Sequence, residues 1–309
     1  MHSTRKLVPA AAFTALLLSV ATPALAQPTP GVPQDKSFSK AQLKAAHQSL
    51  DKRLTKAPAG ITSWGEDPAT GRVVVFVVAT DKSAMARAKA AVADLPAAQV
   101  KPVAERVRTY WNIIGGQAIN NGRSRCSVGF SARSSAGTRY VLTAGHCTEL
   151  GGNWSGVGGS IGPVAGTAFP RDDYGRIQVT SSAAVSTPLV DRYSSGSDVT
   201  VTAAGTAGVG RAVCRSGSTT GWRCGTVSAT NQTVNYGRGD IVYGLTRTTA
   251  CAEPGDSGGS YVSNPGSGTR VTAFGTLSGG SGNCTSGGTT FYQPVTEALS
   301  AYGLTLVTG

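Results

Sequence analysis

The stretch "ACAEPGDSGGSYV", Ala250–Val262, surrounds a single serine, Ser257, with residues that bend the chain sharply. Gly255, Gly258 and Gly259 can adopt dihedral angles that a side chain forbids, and they let a second molecule approach the backbone closely. The stretch therefore has two interpretations. It is a nucleophile presented on a strained turn, or it is an ordinary surface loop, in which Gly, Asp and Ser are common.

The chain order of acid, histidine and serine decides which catalytic fold is possible. The pattern Gly-x-Ser-x-Gly also occurs in α/β-hydrolases, where an acid and a histidine follow the serine, but no histidine follows Ser257. The subtilisin order requires an acid before the histidine, and residues 111–145 contain neither Asp nor Glu. Only the order His, Asp, Ser remains, and it is similar to that of chymotrypsin-type enzymes.

One histidine follows residue 110, and it lies at the end of an apolar stretch. His146 occurs in "VLTAGHCTE". Its imidazole can accept a proton from a serine hydroxyl, because the reference pKa of about 6.5 lies near neutral pH. The alternative is a hydrogen-bonded structural histidine, which the accompanying serine motif makes the less favoured interpretation.

The acid that would hold the imidazole has two candidates in "FPRDDYGRIQV", namely Asp172 and Asp173. We expect one of the two to point inward and the other to face solvent. The other candidates are isolated in turn-rich sequence, where solvated carboxylates are common; they are Asp191, Asp198 and Asp240.

The first 26 residues have the pattern of a secretory signal. Arg5 and Lys6 form a basic start, residues 7–20 are apolar, and a small-residue cleavage site ends at Ala26. We therefore predict a signal peptide at residues 1–26 and a secreted chain. No other apolar run is long enough to span a membrane, so no membrane partner is expected.

Cysteine usage and charge exclude several other classes. All six cysteines lie beyond residue 125, and an even number in an exported chain predicts three disulfides, with the pairing left open. No Cys-x-x-Cys pair occurs, so neither a metal nor another cofactor is expected. The net charge of +12 includes no Lys/Arg cluster interleaved with aromatic residues, so nucleic acid is not an expected partner.

The chain after the signal has two different textures. Residues 27–35 are rich in Pro and Gln, and the pattern that follows predicts helices at 38–56 and 82–95 with a strand at 72–80. From residue 112 onward, short strand-like runs are separated by Gly, Ser and Asn, with one helix at Gln293–Gly303. This second part is typical of an antiparallel barrel or sandwich, and it is long enough for two small barrels.

Several motifs of the second part resemble one family closely. They are "LTAGHC", "DYG", "CAEPGDSGGS", "SGGSGNC" and "GGTTFYQPVTEALSAYG". These motifs are similar to those of the bacterial streptogrisin and α-lytic-type serine endopeptidases, of the chymotrypsin superfamily. The resemblance implies an all-β fold of two antiparallel six-stranded β-barrels with a C-terminal helix. It also implies a small α/β pro-region at 27–110, a folding aid and inhibitor that is removed, and a protease domain at 111–309.

The resemblance gives each candidate a catalytic role. His146 would be the general base, Asp173 the orienting acid and Ser257 the nucleophile. The amides of Gly255 and Ser257 would form an oxyanion hole, because the bend turns both N–H groups towards the point where charge develops. These roles explain why the chain bends around Ser257.

The resemblance also implies two kinds of structural pair. Asp256 would pair with Arg215, although reasoning from the residues alone would make Arg215 a solvated surface charge. The disulfides implied are Cys126–Cys147, Cys214–Cys224 and Cys251–Cys284.

A substrate pocket is implied beside "TLSGGSG", residues 276–282. Gly279 and Gly280 lack side chains, which predicts an open pocket for a large apolar or aromatic group. Leu277 departs from the family's pattern, and by narrowing the pocket it would favour small or medium aliphatic groups. The absence of an acid at the pocket floor argues against cleavage after Lys or Arg, and the absence of a histidine argues against cleavage after Glu. The substrate-binding residues implied are Ala252, Pro254, Leu277, Ser278, Gly279 and Gly280.

The junction "ERVRTYWNIIGGQAI" resembles the start of the mature domain in this family. We expect the enzyme to cleave itself between Tyr110 and Trp111, and a cut after Arg108 by another protease is the alternative. Polypeptide substrates and the chain's own pro-region are the expected partners of a monomer. Two other functions remain open, an inactive homologue that only binds peptides and an independent binding module at residues 27–110.

Overall fold

The computed structural model describes residues 37–309, so the signal predicted at 1–26, its cleavage site Ala26 and the segment at 27–35 lie outside the described residues. The described residues divide into two compact units, 37–107 and 108–309. In the described part, no helix is both long and apolar enough to cross a membrane.

The first unit is a three-stranded sheet packed with two helices, as the α/β prediction requires. The sheet order is β1-β2-β3, with β1 antiparallel and β3 parallel to β2. The central strand carries buried valines that pack with small alanines of the helices, which lets the helices approach closely. The elements are α1 (Lys40–Arg53), β1 (Ile61–Asp67), β2 (Arg72–Val78), α2 (Lys82–Val92) and β3 (Ala98–Val103).

Local sequence determines where these helices begin. Ser39 and Gln42 form a reciprocal capping box at the start of α1, and Asp81 accepts the N–H of Ala84 at the start of α2. The sequence pattern did not predict β1 and β3, because they have few fully buried apolar residues and β3 contains Pro102.

The second unit contains two sheets, and the first surrounds a core that includes Ile119, Val141, Trp154 and Ile177. Its strand order is β20-β7-β8-β11-β10-β9-β5-β6. The strands are β5 (Ala118–Asn120), β6 (Arg125–Ser127), β7 (Phe130–Ser134), β8 (Arg139–Thr143), β9 (Asn153–Gly156), β10 (Gly159–Ala168), β11 (Tyr174–Gln178) and β20 (Leu304–Leu306).

The second sheet closes on itself. Its order is β17-β14-β15-β16-β19-β18-β13-β12-β4, and an additional β17–β18 pairing closes six strands into a barrel. The strands are β4 (Trp111–Gly115), β12 (Ala184–Val190), β13 (Val199–Ala204), β14 (Ala212–Gly217), β15 (Gly221–Asn235), β16 (Ile241–Thr248), β17 (Ser260–Ser263), β18 (Arg270–Asn283) and β19 (Gly287–Pro294).

The predicted all-β, two-barrel fold is confirmed, with two differences of detail. The sheets contain eight and nine strands rather than six, because β20 at the C-terminus pairs with β7 and β4, β12 and β13 extend the second barrel. Two pairings, β4–β12 and β13–β18, are parallel rather than antiparallel.

Two short helices occupy the ends of strands. The predicted C-terminal helix is α4 (Val295–Tyr302), which ends at Gly303 with a left-handed φ of 60°. The sequence pattern did not predict α3 (Gly145–Thr148), a single turn directly after β8. This turn carries His146, so the end of β8 determines where the imidazole lies.

Candidate active site

Strand pairing brings His146 and Asp173 together. Asp173 immediately precedes β11, and β11 pairs with β8 in a register that places Gly175 opposite Thr143. An Asp173 carboxylate oxygen lies 2.9 Å from Nδ1 of His146, and the other accepts the backbone N–H of His146 at 2.9 Å. Asp173 is fully buried, whereas Asp172 is partly exposed.

The Asp173 carboxylate makes further contacts that fix its orientation. Ser278 Oγ donates to Asp173 Oδ2 at 2.5 Å, and Tyr236 Oη lies 2.8 Å from Ser278 Oγ. The backbone N–H of Asp173 donates to Oε1 of buried Gln293 at 2.9 Å. Both oxygens of the carboxylate therefore have hydrogen-bond partners, as a buried charge requires.

The surroundings of His146 favour the charged imidazole. Burial lowers the pKa of His146, but the charge and hydrogen bond of Asp173, with a smaller effect of Glu149, together outweigh burial, so the pKa is raised above its ordinary value. Phe169 packs edge-on against the imidazole, with ring centroids 5.9 Å apart. The imidazole is thus held on one nitrogen and kept basic, which suits a proton acceptor.

Ser257 lies in the loop before β17, and this loop packs on the end of β8. Ser127 donates its backbone N–H to the carbonyl of Ser257 at 2.8 Å. A Cβ on Gly258, whose φ is +79°, would lie 2.8 Å from the amide nitrogen of Ala144. The close approach of Gly258 to the residues just before His146 explains why a glycine follows the serine.

The hydroxyl of Ser257 and the imidazole of His146 do not form a hydrogen bond in this structure. Within residues 37–309, Ser257 Oγ has no hydrogen-bond partner, and Nε2 of His146 contacts Cys147 Sγ at 3.8 Å. Hydrogen bonds of this kind are often long in free enzymes and tighten when substrate binds.

Two amides that flank Asp256 in the serine loop have no partner among the described residues. The N–H groups of Gly255 and Ser257 donate to nothing among the described residues. Gly255 has a φ of +99°, a conformation that only glycine adopts readily. Unpaired backbone donors are uncommon in folded proteins, so this pair is a candidate site for a developing negative charge.

A buried ion pair supports the loop from behind. Arg215 and Asp256 are both fully buried, with 3.1 Å between Nη2 and Oδ2. Asp256 also accepts the backbone N–H groups of Thr219, Thr220 and Glu253. Residue-based reasoning alone placed Arg215 at the surface, and the structure buries it because Asp256 compensates its charge.

Three disulfides join the segments around the site, and they are the three pairs that the resemblance implied: Cys126–Cys147, Cys214–Cys224 and Cys251–Cys284. The first anchors the residue after His146, and the third joins the serine loop to the end of β18. Cys126 and Cys147 lie near the His146 side chain, but their sulfur atoms are bonded to each other and are not available as thiolate metal ligands.

The edge of β18 beside the serine loop is open. One edge of β18 pairs with β13 and β17 as far as Thr276, and among the described residues no strand continues this edge through Ser278, Gly279 and Gly280. The opposite edge pairs with β19. An open edge of this kind can accept an extended peptide as an added strand.

The residues predicted to bind substrate differ in burial and in what they contact. Leu277 is 2% exposed and packs in a core cluster, so it supports the strand from the core side and presents little surface to a ligand. A Cβ on Gly280 would collide with the carbonyl oxygen of Thr289, so close approach of β19 requires this glycine. Ala252 is partly buried against the same cluster, and Pro254 is exposed.

Several residues that contact the site are not among the site residues that the sequence predicted. Tyr236 packs against Gly279, where a Cβ would lie 2.7 Å from the tyrosine ring. Gln293 and Glu297 form a hydrogen-bonded pair behind Asp173, and Thr219 and Arg125 lie behind Gly255. Gln293 and Glu297 lie within the motif at 287–303, but the motif does not reveal these roles, because the roles depend on contacts with residues distant in the chain.

The two-barrel fold, with a histidine–aspartate pair and a serine loop packed on one strand end, defines the class of chymotrypsin-like serine peptidases. Comparison with known proteins agrees. Residues 38–97 match the family described as Alpha-lytic protease prodomain, and residues 113–301 match the family described as Trypsin.

Relatives and solved structures give the same result. Streptogrisin-A of Streptomyces griseus is 49% identical over 247 residues, which cover 80% of this chain and 78% of that protein. The crystal structure of Nocardiopsis protease (NAPase) is 49% identical, with a TM-score of 0.59 and coverage of 64% of this chain and 100% of that chain. A glutamic acid specific serine protease that utilizes a histidine triad in substrate binding is 45% identical, with a TM-score of 0.57 and coverage of 63% and 100%.

The chain belongs to the trypsin family, and it is a serine endopeptidase whose catalytic domain follows a segment of the α-lytic prodomain type. The resemblance to streptogrisins that the motifs carried is thereby confirmed.

Proposed function

We propose that this enzyme is secreted and hydrolyses peptide bonds after large apolar or aromatic residues, with His146, Asp173 and Ser257 as its triad. One observation carries the proposal. The fully buried carboxylate of Asp173 binds both Nδ1 and the backbone N–H of His146, which leaves Nε2 without a bond to the carboxylate. A carboxylate so placed fixes the tautomer of the imidazole and stabilises its protonated form.

The chemical steps follow from these roles. Ser257 Oγ attacks the scissile carbonyl carbon while Nε2 of His146 takes the hydroxyl proton. The carbonyl oxygen becomes negative and accepts the two unpaired N–H groups of Gly255 and Ser257. His146 then gives its proton to the leaving amine, and water repeats the sequence to release the acyl group.

The substrate backbone would add as a strand to the open edge of β18, at Ser278–Gly280. Main-chain hydrogen bonds there position the scissile bond, and the pocket beside the edge selects the side chain. Phe169 packs against His146 and Tyr236 contacts Ser278, so aromatic surface is available near the bound chain.

Contacts near the pocket disfavour charged side chains in the substrate. The carboxylate of Glu253 accepts the backbone N–H of Cys284 at 3.1 Å, so it is already engaged. The glutamate-specific relative uses three histidines, whereas His146 is the single histidine after residue 110 of this chain. Neither a Lys/Arg preference nor a Glu preference therefore has support in these residues.

Two observations support secretion. Residues 1–26 carry the pattern of a secretory signal. The described residues hold three disulfides and no free cysteine, which is typical of proteins in oxidising compartments.

Hydrolysis of a peptide library by the enzyme and by Ser257→Ala tests the proposed preference. We expect cleavage after Phe, Tyr and Leu by the enzyme and none by the variant. Cleavage mainly after small aliphatic residues would contradict the pocket assignment. Equal cleavage by both proteins would contradict the catalytic role of Ser257, and peptide binding without cleavage by either would identify an inactive homologue.

Maturation provides a separate test of the proposed pro-region, residues 27–110. Residues 106–110 lie outside regular structure and Tyr110 is 78% exposed, while Trp111 begins β4. An exposed connection of this kind is readily cleaved. The buried Arg215–Asp256 pair removes any need for a new N-terminus to pair with Asp256.

We expect the full chain with Ser257→Ala to be secreted without cleavage at residue 110, and to mature at Trp111 when active enzyme is added. N-terminal sequencing of the secreted protein measures both results. An N-terminus at Thr109 would show a cut after Arg108 by another protease. Normal maturation of the inactive variant alone would exclude self-processing.

A further inference from the structure

The two unpaired amides that flank Asp256, those of Gly255 and Ser257, are held in different ways. The Ser257 N–H belongs to the peptide whose carbonyl, on Asp256, accepts the backbone N–H of Gly259 at 2.9 Å. The Gly255 N–H belongs to the peptide whose carbonyl, on Pro254, accepts the hydroxyl of Thr219 at 2.7 Å. One amide is therefore oriented by backbone and the other by a side chain.

We propose that Thr219, itself held by Arg125, is a positioning residue that keeps the Gly255 N–H pointing into the oxyanion hole. This inference rests on the proposed function, because it assumes that the Gly255 amide stabilises the reaction's negative charge. Thr219 touches neither substrate nor the reacting atoms, so it acts through the Pro254–Gly255 peptide.

Peptide geometry links the two ends of this contact. A trans peptide is planar, so its C=O and N–H point in opposite directions. With the Pro254 carbonyl held towards Thr219, the Gly255 N–H must point away from Thr219. Rotation of the same peptide would replace the donor by a carbonyl oxygen, which would repel a developing negative charge.

Gly255 makes such a constraint necessary. With a φ of +99° and no Cβ, it can adopt either orientation of the preceding peptide at little steric cost. The carbonyl on its other side, in the Gly255–Asp256 peptide, is already held by the hydroxyls of Ser127 and Ser218 at 2.9 and 3.0 Å. Thr219 provides the remaining contact that determines how the Pro254–Gly255 peptide lies.

Arg125 determines which way the Thr219 hydroxyl donates. Nη2 of Arg125 lies 2.8 Å from Thr219 Oγ1, and a guanidinium can only donate. The hydroxyl proton of Thr219 is therefore directed at Pro254. Both groups pack on Gly255, because a Cβ there would lie 2.5 Å from Thr219 Oγ1 and from Nη2 of Arg125.

The test compares Thr219→Val, which keeps the shape and removes the hydroxyl, with Thr219→Ser, which keeps the hydroxyl. Thr226→Val is the matched control, because Thr226 is exposed on the adjoining strand β15 and its hydroxyl has no hydrogen-bond partner within residues 37–309. Each mature enzyme is assayed on a peptide amide. Its affinity is measured for a peptide aldehyde, whose adduct places an oxyanion in the hole, and for a reduced-bond peptide that lacks the carbonyl.

We expect Thr219→Val to lower kcat about fivefold to tenfold, the range of one lost hydrogen bond, with KM within about twofold. Aldehyde affinity should fall by the same factor while affinity for the reduced-bond peptide is unchanged. Thr219→Ser and Thr226→Val should match the parent enzyme. Three results would each overturn the inference. Thr219→Val could lose equal affinity for both inhibitors, it could keep the parent's kcat, or Thr219→Ser could fail to restore the parent's kcat.

A second variant covers the case in which Thr219→Val does not fold. Arg125→Ala removes an exposed side chain and leaves the hydroxyl free to rotate, so a smaller loss of about twofold to threefold with the same selective effect on the aldehyde is expected. Ser257→Ala separates this inference from the proposed function. If Ser257→Ala is inactive and Thr219→Val and Arg125→Ala equal the parent, only the role of Thr219 fails; if Ser257→Ala is active, the proposed function fails.

Discussion

Ser257→Ala and His146→Ala are each expected to lower kcat by about a million-fold, with little change in KM for a good peptide substrate. Each variant removes one half of a unit in which the hydroxyl attacks only while the imidazole takes its proton. The double variant should therefore lose little more than either single variant. The measurement is steady-state hydrolysis of a chromogenic peptide by purified mature enzyme.

The control for these variants is Ser267→Ala, an exposed serine in the loop before β18 whose side chain makes no hydrogen bond within the described residues. It should keep full activity. If Ser257→Ala and His146→Ala reduce activity by different amounts and the losses add in the double variant, the two residues do not act as one unit. If either variant keeps substantial activity, the triad is assigned wrongly.

The sequence is sufficient to predict the fold, and it leaves one serine and one histidine as the leading catalytic candidates. Chain order alone excludes two of three catalytic folds, because residues 111–145 contain no acid and no histidine follows Ser257. The chain order of acid, histidine and serine distinguishes the folds, because each fold places its catalytic residues on fixed structural elements. The short α3, which carries His146, is not predictable from the sequence, because a single helical turn has no periodic pattern to detect.

The pocket is less predictable than the catalytic residues. β19 approaches Gly280 closely and Leu277 lies in the core, so each residue has a packing role that the sequence pattern does not reveal. The contacts of Tyr236, Gln293 and Thr219 join strands and loops far apart in the chain. Such contacts depend on tertiary packing, for which local sequence carries no signal.

The residues alone leave both Asp172 and Asp173 as candidates for the acid. The strand register of the structure favours Asp173. Asp173 lies directly before β11 and is fully buried beside His146, while Asp172 is partly exposed. The negative charge of Asp172 acts on Tyr174, Tyr302 and Glu297, whose pKa values it helps to raise together with burial. Adjacent carboxylates therefore face different surroundings, and a pair of isosteric variants separates them.

Asp173→Asn is expected to lower kcat by about ten-thousandfold, because the neutral amide no longer stabilises the imidazolium and favours the wrong tautomer. Asp172→Asn should change kcat by less than about twofold, since a partly exposed carboxylate is screened by solvent. Both substitutions preserve side-chain shape, which makes Asp172→Asn the matched control. The measurement is kcat/KM across a pH range for the parent enzyme and both variants.

The pH profiles give the decisive comparison. In the parent, Asp173 raises the pKa of His146 above its ordinary value, and activity requires the neutral imidazole, so activity should fall as the pH drops through this raised pKa. Without the charge of Asp173, burial, the largest influence on the pKa of His146, lowers this pKa against only the smaller raising effect of Glu149. The residual activity of Asp173→Asn should therefore persist to lower pH than that of the parent, and the profile of Asp172→Asn should stay in place. Two results would show that Asp173 does not hold the catalytic histidine. One is a large loss of kcat/KM in Asp172→Asn, and the other is a shift of the acidic side of the pH profile to higher pH in Asp173→Asn.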